Sequence, residues 1–464
     1  MAEDPEAVAP RLERAGLLAE LGRTGEAREA YLDILARAPS DRLALNNLGT
    51  LLWDSGYRTA ARTAYAEAAA RHPGDAMSQV NLANALYQSG EFESAREHYE
   101  TALRCAPDSP KAHQGLAYAL AELGDAAGAA WHRRKGFEHC AVERLPYRGE
   151  GPPVPLLLLV SALGGNIPTR NFLDDRVFET TAVVSEFFDL SQPLPPHRLI
   201  FNAIGDADLA AEGLAAAQAV TALSGAPVLN APAAVMATGR ADTARRLSRL
   251  PGVIAPRIVT LPRERLTAPD AATTLACQGL QFPMLVRSPG FHTGRHFVRV
   301  ERAGEMAAAV AGLPGEGLTA IEYLDSRGAD GQVRKYRVMA IAGRLYPLHV
   351  AISSHWKVHY FTAEMAEDTE HRAEDARFLE NMAAVLGPRA MAGLEAIQRT
   401  LGLDYAGIDF GLSPAGDVLL FESNATMVVN PPEPDERWAY RRPAVDRIFA
   451  AVRRLLLEKA GAGQ

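Results

Sequence analysis

The sequence predicts three architectures in succession: an α-helical solenoid, a small α/β domain with a parallel sheet, and an α+β domain. Three observations predict them. The first third repeats with a period of 34, with glycine at 22, 56, 90 and 124. Short apolar runs then alternate with alanine-rich stretches, the order of strands and helices in a parallel sheet. Last come apolar runs joined by turn residues, which read as antiparallel hairpins. The expected boundaries are 1–145 for the solenoid, 146–155 for a linker, 156–232 for the α/β domain and 233–464 for the α+β domain.

The repeat is the strongest signal. Alanine keeps the period at 27, 61, 95 and 129, an aromatic at Tyr31, Tyr65 and Tyr99, and proline at Pro39, Pro73 and Pro107. Small residues at fixed sites let paired helices approach, aromatics fill the space between pairs, and each proline stops a second helix. Leu48, Gly49, Ala61, Tyr65, Ala68 and Pro73 fit the tetratricopeptide (TPR) consensus, and residues 10–140 resemble that family. The end repeats depart from it, with Arg14 in place of leucine and Arg133 in place of the aromatic, as end repeats that meet water do. The resemblance implies a concave surface into which Asn46, Trp53, Asn84, Tyr87 and Tyr118 project. These side chains bind an extended peptide or protein, serve packing alone or contact the next domain, or belong to an array that dimerises the chain.

"PYRGEGPPVP" at 146–155, with four prolines and two glycines, marks the boundary. Beyond it, "PLLLLVSALGG", "TAVVSEFF", "HRLIFNAIGD" and "APVLNAP" are strand candidates, and "LAAEGLAAAQAVTAL" is a helix. Gly164 and Gly165 follow the first strand, either as a plain turn or where such sheets bring a ligand to backbone N–H groups.

"DYAGIDFGLSPAGDVLLFESN" (404–424) reads as two strands joined by "SPAGD". A turn centred between Ala415 and Gly416 sets Asp409 opposite Glu422, with Asn424 on the same face. Ile408, Phe410, Leu412, Leu419 and Phe421 form the apolar face. Taken alone, Glu422 and Asn424 also suit a solvated strand end. Facing carboxylates destabilise a ladder, so a cation between them is expected, and two carboxylates with an amide suit Mg2+. Upstream, "FPMLVRSPGFHTGRHFVRV" is strand, glycine-containing loop and strand. It carries Arg287 and Arg295, able to fold over a triphosphate. "LTAIEYLD" ends in Glu322, Tyr323, Leu324 and Asp325, suited to an adenine edge and a ribose. A basic hairpin around Ala342 and Gly343 offers Lys335, Arg337 and Arg344 to anions.

This order resembles the ATP-grasp superfamily, in the branch of glutathione synthetase and the ribosomal-modification ligases, over residues 154–455. The resemblance implies ATP and Mg2+ as cofactors: Arg287, Arg295 and Glu322–Asp325 on the nucleotide, Asp409, Glu422 and Asn424 on the metal. Arg287 stands where members usually carry lysine. Near "TGRADTARRL", another lysine site of the family, only Arg240, Arg245 and Arg246 are present. Arginine keeps the charge and changes the geometry. His349, His355, Lys357 and His359 cluster in the sequence beside the basic hairpin, as solvated or core residues or as groups that orient a carboxylate or accept a proton. The expected catalytic set is Arg337, Lys335 and His349. The expected activity is ATP-dependent ligation of a carboxylate to an amine or thiol through an acyl phosphate, with the repeats recruiting a peptide or protein. A phosphotransferase and a non-catalytic TPR adaptor are the alternatives. No G-x-x-x-x-G-K-[ST] stretch exists, which excludes a P-loop.

Composition bounds the rest. Hydrophobic content of 48%, charged content of 22% and a net charge of −8 are those of a globular protein and argue against a general nucleic-acid or anionic-membrane binder. Three scattered cysteines form neither a zinc pattern nor a disulfide framework. "MAEDPEAVAP" lacks a signal-peptide core, and "VPLLLLVSAL" falls short of the ~20 residues of a spanning helix. The expected location is the cytoplasm.

Overall fold

The computed structural model describes residues 5–291, 294–358, 364–433 and 435–461, apart from the side chains of residues 5–7. The chain divides into two compact units, Met1–Ala141 and Val142–Gln464.

The first unit is four helix pairs: α1 (Pro5–Glu20) with α2 (Thr24–Arg37), α3 (Arg42–Asp54) with α4 (Arg58–Arg71), α5 (Ala76–Gln88) with α6 (Phe92–Cys105), and α7 (Pro110–Glu122) with α8 (Ala126–Phe137). Asp41, Asp75 and Ser109 cap α3, α5 and α7 by accepting backbone N–H bonds, the capping that short polar side chains favour. The periodic residues do different jobs. Ala27, Ala61 and Ala95 are fully buried and Tyr31, Tyr65 and Tyr99 nearly so, forming the interhelical core. Gly22, Gly56, Gly90 and Gly124 sit instead in the turn within each pair at φ between 74° and 86°, a left-handed conformation that glycine adopts without strain. The expected close helix approach belongs to the alanines, not to these glycines. Contacts of α1 with α3, α3 with α5 and α5 with α7 bring the first helices together on one side.

The second unit is mixed α/β. Its five-stranded sheet comprises β1 (Val142–Arg144), β2 (Val154–Val160), β3 (Phe178–Val184), β4 (Leu199–Asn202) and β5 (Val228–Leu229) in the order β1-β3-β2-β4-β5. All neighbours are parallel except the β1 edge. The order reverses at β2, so the loops after β2 and β4 flank a switch point, where ligands settle in open α/β sheets. Gly164 and Gly165 form a turn there, and the Gly165 carbonyl accepts from the backbone N–H groups of Gly205 and Asp206. The double glycine thus ties one switch-point loop to the other.

After β6 (Val253–Ile254), strands β7 (Ile258–Pro262), β8 (Met284–Arg287), β9 (Phe297–Val300) and β10 (Gly317–Glu322) form an antiparallel sheet in the order β7-β10-β8-β9, with its own core around Met284, Val286 and Leu318. The last sheet runs β12-β11-β13-β14-β6, where β11 is Val333–Ile341, β12 Arg344–Ser353, β13 Tyr405–Leu412 and β14 Val418–Asn424. Leu157, Ile200 and Ala217 share one apolar cluster with Val338, Ile408 and Phe410, so burial runs across the 232/233 position expected to separate two domains. Among the described residues, no helix is long and apolar enough to cross a membrane.

Candidate functional site

The β13–β14 hairpin puts Asp409 directly opposite Glu422, and Asn424 opposite Gly407. The expected register holds there for an unexpected reason. Nearer the turn the pairs are Phe410–Leu420 and Leu412–Val418, and a bulge at Phe421 supplies the extra residue that restores the Asp409–Glu422 pairing. Leu420, not Leu419 or Phe421, therefore shares the apolar face with Phe410, and it is 2% exposed.

The register continues across the sheet. Asp409 pairs with Arg337 on β11, and Arg337 pairs with His349 on β12. Four strands thus contribute one polar row: His349, Arg337, Asp409 and Glu422. A carboxylate buried to 1% exposure requires paired charges, and the row supplies them. Arg337 grips Asp409 through Nε at 2.5 Å and Nη2 at 2.8 Å, and Lys335 Nζ adds a contact at 2.8 Å. Burial pushes the Asp409 carboxyl up, but Arg337 and Lys335 outweigh it and hold it well below the usual carboxylate range. Burial also raises Glu422, and Arg240 reverses the shift, with Nη2 2.5 Å from Glu422 Oε1. Asn424 Nδ2 donates to the same oxygen at 2.9 Å, while its Oδ1 accepts from Thr426 N and Oγ1.

His349 closes the row at 4% exposure. Burial first, then the Arg337 and Arg441 guanidiniums, depress its pKa far below the ordinary histidine value. These surroundings favour its neutral form. The rest of its sequence cluster does not converge on it: His355 and Lys357 are exposed, and Lys357 Nζ reaches the Phe297 carbonyl at 3.4 Å. His359 lies outside the described residues.

Arg287, at the end of β8, is within electrostatic reach of Arg240, Glu422, Asp206 and Asp208; burial and then Arg240 lower its pKa. Its guanidinium donates to the Phe291 carbonyl, while its buried Nε has no partner. Arg295 lies over the Phe291 ring at 5.5 Å. Glu322 accepts from the Arg257 backbone N–H at 3.0 Å, and Asp325 accepts from that of Arg327 at 3.1 Å. Tyr323 carries the Arg299 guanidinium on its face at 4.1 Å, next to Trp356, and Leu324 is half-buried between these neighbours in sequence. Arg344 sits at the hairpin turn, exposed and paired with Ile341, and does not join Lys335 and Arg337.

An open cleft runs along the end of β14, lined by Asp206, Asp208, Arg240, Thr243, Glu422 and Asn424. Asp206 and Asp208 come from the switch-point loop after β4, and Asp208 accepts from the Arg240 backbone N–H at 3.1 and 3.3 Å. A Cβ on Gly205 would meet the Ala425 backbone at 2.8 Å, so glycine lets this loop lie against the end of β14. The mark of these acids in the sequence is "GDAD" after an apolar strand. Among the described residues, no group of three His, Cys, Asp or Glu side chains is arranged to hold a metal ion.

In the helical unit the expected partner residues divide. Asn46 is 6% exposed and donates to Ser78 Oγ at 2.8 Å, while its Oδ1 accepts from Asn81 at 2.7 Å. It joins consecutive repeats and does not project from the inner surface, because both ends of its amide are needed between α3 and α5. Asn84 is exposed, and its Oδ1 accepts from Tyr99 at 2.6 Å. Tyr87 lies between Phe92 and Tyr118, at 5.3 and 6.4 Å, and Arg58 sits over Trp53 at 3.9 Å.

The tetratricopeptide repeat profile matches residues 12–76, 46–110 and 80–133. Residues 12–133 are tetratricopeptide repeats. Similar solved structures include a crystal structure of MamA (23% identity over 29% of this chain and 79% of that one, TM-score 0.27). Residues 41 to the end of MamA from Desulfovibrio magneticus RS-1 give 24% identity over 28% and 74%, with a TM-score of 0.26. A tetratricopeptide repeat protein from Parabacteroides merdae gives 22% over 29% and 53%, with a TM-score of 0.27. No curated protein matches the chain. TPR repeats suggest protein–protein interaction, and this much applies to the first unit.

Proposed function

We propose that the second unit is an ATP-dependent ligase that activates a carboxylate as an acyl phosphate for attack by an amine or thiol, and that the TPR unit recruits a peptide or protein substrate. The observation that carries this reading is the row Arg337–Asp409–Glu422 beside Arg240 and Arg287. Anionic reactants need preorganised positive charge, and here the Arg337 guanidinium, already fixed by buried Asp409, supplies it without reorganisation. Asp409 and Glu422 face each other and Asn424 adds an amide, the donor types of a hard divalent cation once the protein donors now holding their oxygens give way. Those three residues would hold Mg2+, and phosphate oxygens and water would complete its set; bound there, it would neutralise charge on the phosphates. Arg287 binds phosphate through its unpartnered Nε, and Arg337 and Lys335 orient the activated carboxyl oxygens. The ATP-grasp resemblance of the sequence supports the same assignment.

A second reading has an observation in its favour. Asp409 and Glu422 are each neutralised by protein cations, as they would be in a TPR adaptor that binds nucleotide without turnover. ADP release, followed against panels of amino acids and peptides with hydroxylamine present, separates the readings. A hydroxamate supports the ligase, a stable phosphorylated product supports a phosphotransferase, and no ADP above background supports the adaptor.

A further inference from the structure

The geometry points to Arg240 as an internal counter-ion that keeps divalent metal off Glu422 until a polyphosphate anion draws its guanidinium away. This inference rests on the metal assignment above and adds an order of binding to it.

Glu422 Oε1 is held by two donors, Arg240 Nη2 at 2.5 Å and Asn424 Nδ2 at 2.9 Å. A metal ion cannot share that oxygen with a guanidinium at this distance, because the two cations repel and compete for the same lone pairs. The other carboxylate is closed more fully, since Arg337 and Lys335 cover both oxygens of Asp409, whereas at Glu422 the two donors both hold Oε1. The two closures differ in how they can open. Arg337 is on β11, in register with Asp409 on the adjacent strand. Arg240 is the first residue of the helix Arg240–Leu247, with its backbone N–H fixed by Asp208. Its side chain can therefore swing while its Cα stays in place.

What would move it is also present. Arg287 and Arg240 oppose each other's charge, and both guanidiniums lie near Glu422. An anion between them relieves that repulsion and forms charge-assisted bonds to both. Arg287 has a buried Nε without a partner to offer. A chain of phosphates can reach both arginines and still present oxygens to a metal, which a single phosphate does less well. Metal alone meets a neutralised carboxylate; metal with polyphosphate meets a free one.

Mn2+ serves as the probe, read by loss of the free-ion EPR signal against the same solution without protein. The full chain and Arg240→Met are titrated alone, with inorganic phosphate, with tripolyphosphate and with a non-hydrolysable ATP analogue. The expected result is Mn2+ binding by Arg240→Met without any anion, at least about tenfold tighter than by the wild type alone. Tripolyphosphate and the analogue should restore wild-type binding, inorganic phosphate much less, and Glu422→Gln should abolish binding in the Arg240→Met background. Wild-type protein that binds Mn2+ alone as tightly as it does with tripolyphosphate overturns the inference while leaving the metal assignment standing. That comparison decides even if Arg240→Met fails to fold. Absence of binding in every arm overturns both.

Discussion

Asp409 and Glu422 face each other across the β13–β14 ladder, and each is gripped by its own arginine, Arg337 from the neighbouring strand and Arg240 from a helix 182 residues away in sequence. Facing like charges are thus stable here because each carboxylate belongs to a separate ion pair.

Asp409→Asn should therefore lower the melting temperature, contrary to the expectation from facing carboxylates alone, that removing one relieves repulsion. The substitution leaves Arg337 and Lys335 with a neutral partner in a buried site, a loss of about 3 kcal/mol. Chemical denaturation of the variant checks the magnitude. Mg2+-dependent ADP release should vanish in the same protein, and full activity would remove Asp409 from the site.

Arg337→Met tests orientation of the activated carboxyl. By analogy with loss of an oxyanion donor, kcat/KM should fall by at least ~2 kcal/mol of transition-state stabilisation. The split between kcat and KM locates the effect: a rise in KM alone would make Arg337 an anchor for bound substrate.

The hairpin register and the TPR period were legible because both depend on local spacing: strands alternate by two, and Tyr31, Tyr65 and Tyr99 recur by 34. The bulge at Phe421 was not, since an extra residue in one strand leaves no compositional mark. Long-range pairing was hidden for a related reason. Nothing beside Arg240 in the sequence says that its guanidinium reaches Glu422, and nothing beside His349 says that the strand buries it behind Arg337. Asn46 misled because an amide on a helix looks the same whether it clamps a peptide or ties two repeats together.

The last repeats should lose stability on mild acidification. Pro107 O can only accept, so His113 donates to it from Nε2 at 3.0 Å and accepts at Nδ1 from His132 Nδ1–H at 2.8 Å. Burial and then His113 lower the His132 pKa, and burial lowers that of His98. Both groups titrate nearer 6.5 when unfolded, so the unfolded chain takes up more protons as pH falls below that value. Stability is full above it and declines towards the lower native pKa. Urea denaturation from pH 7.5 to 5 should show the slope, and His132→Gln should flatten it; an unchanged slope in His132→Gln and His98→Gln would refute the assignment.

Asn84→Ala with Tyr87→Ala should raise the KM for a peptide or protein substrate while leaving kcat and the KM for ATP unchanged. Asn84→Ala also removes the acceptor of the Tyr99 hydroxyl, at a cost of about 1 kcal/mol. Tyr99→Phe removes that same bond without altering the inner surface, so it serves as the control. Equal KM values for the double variant and the control would assign the TPR face to another role, such as dimerisation.

The central claim is that the basic row and its carboxylates form a nucleotide site, and calorimetric titration of ATP into the full chain with Mg2+ tests it without knowledge of the other substrates. The account predicts one site per chain, competed by tripolyphosphate and lost in Arg287→Met and Glu422→Gln variants that still melt cooperatively. No ATP binding at millimolar concentration, or binding that both variants retain unchanged, would contradict it.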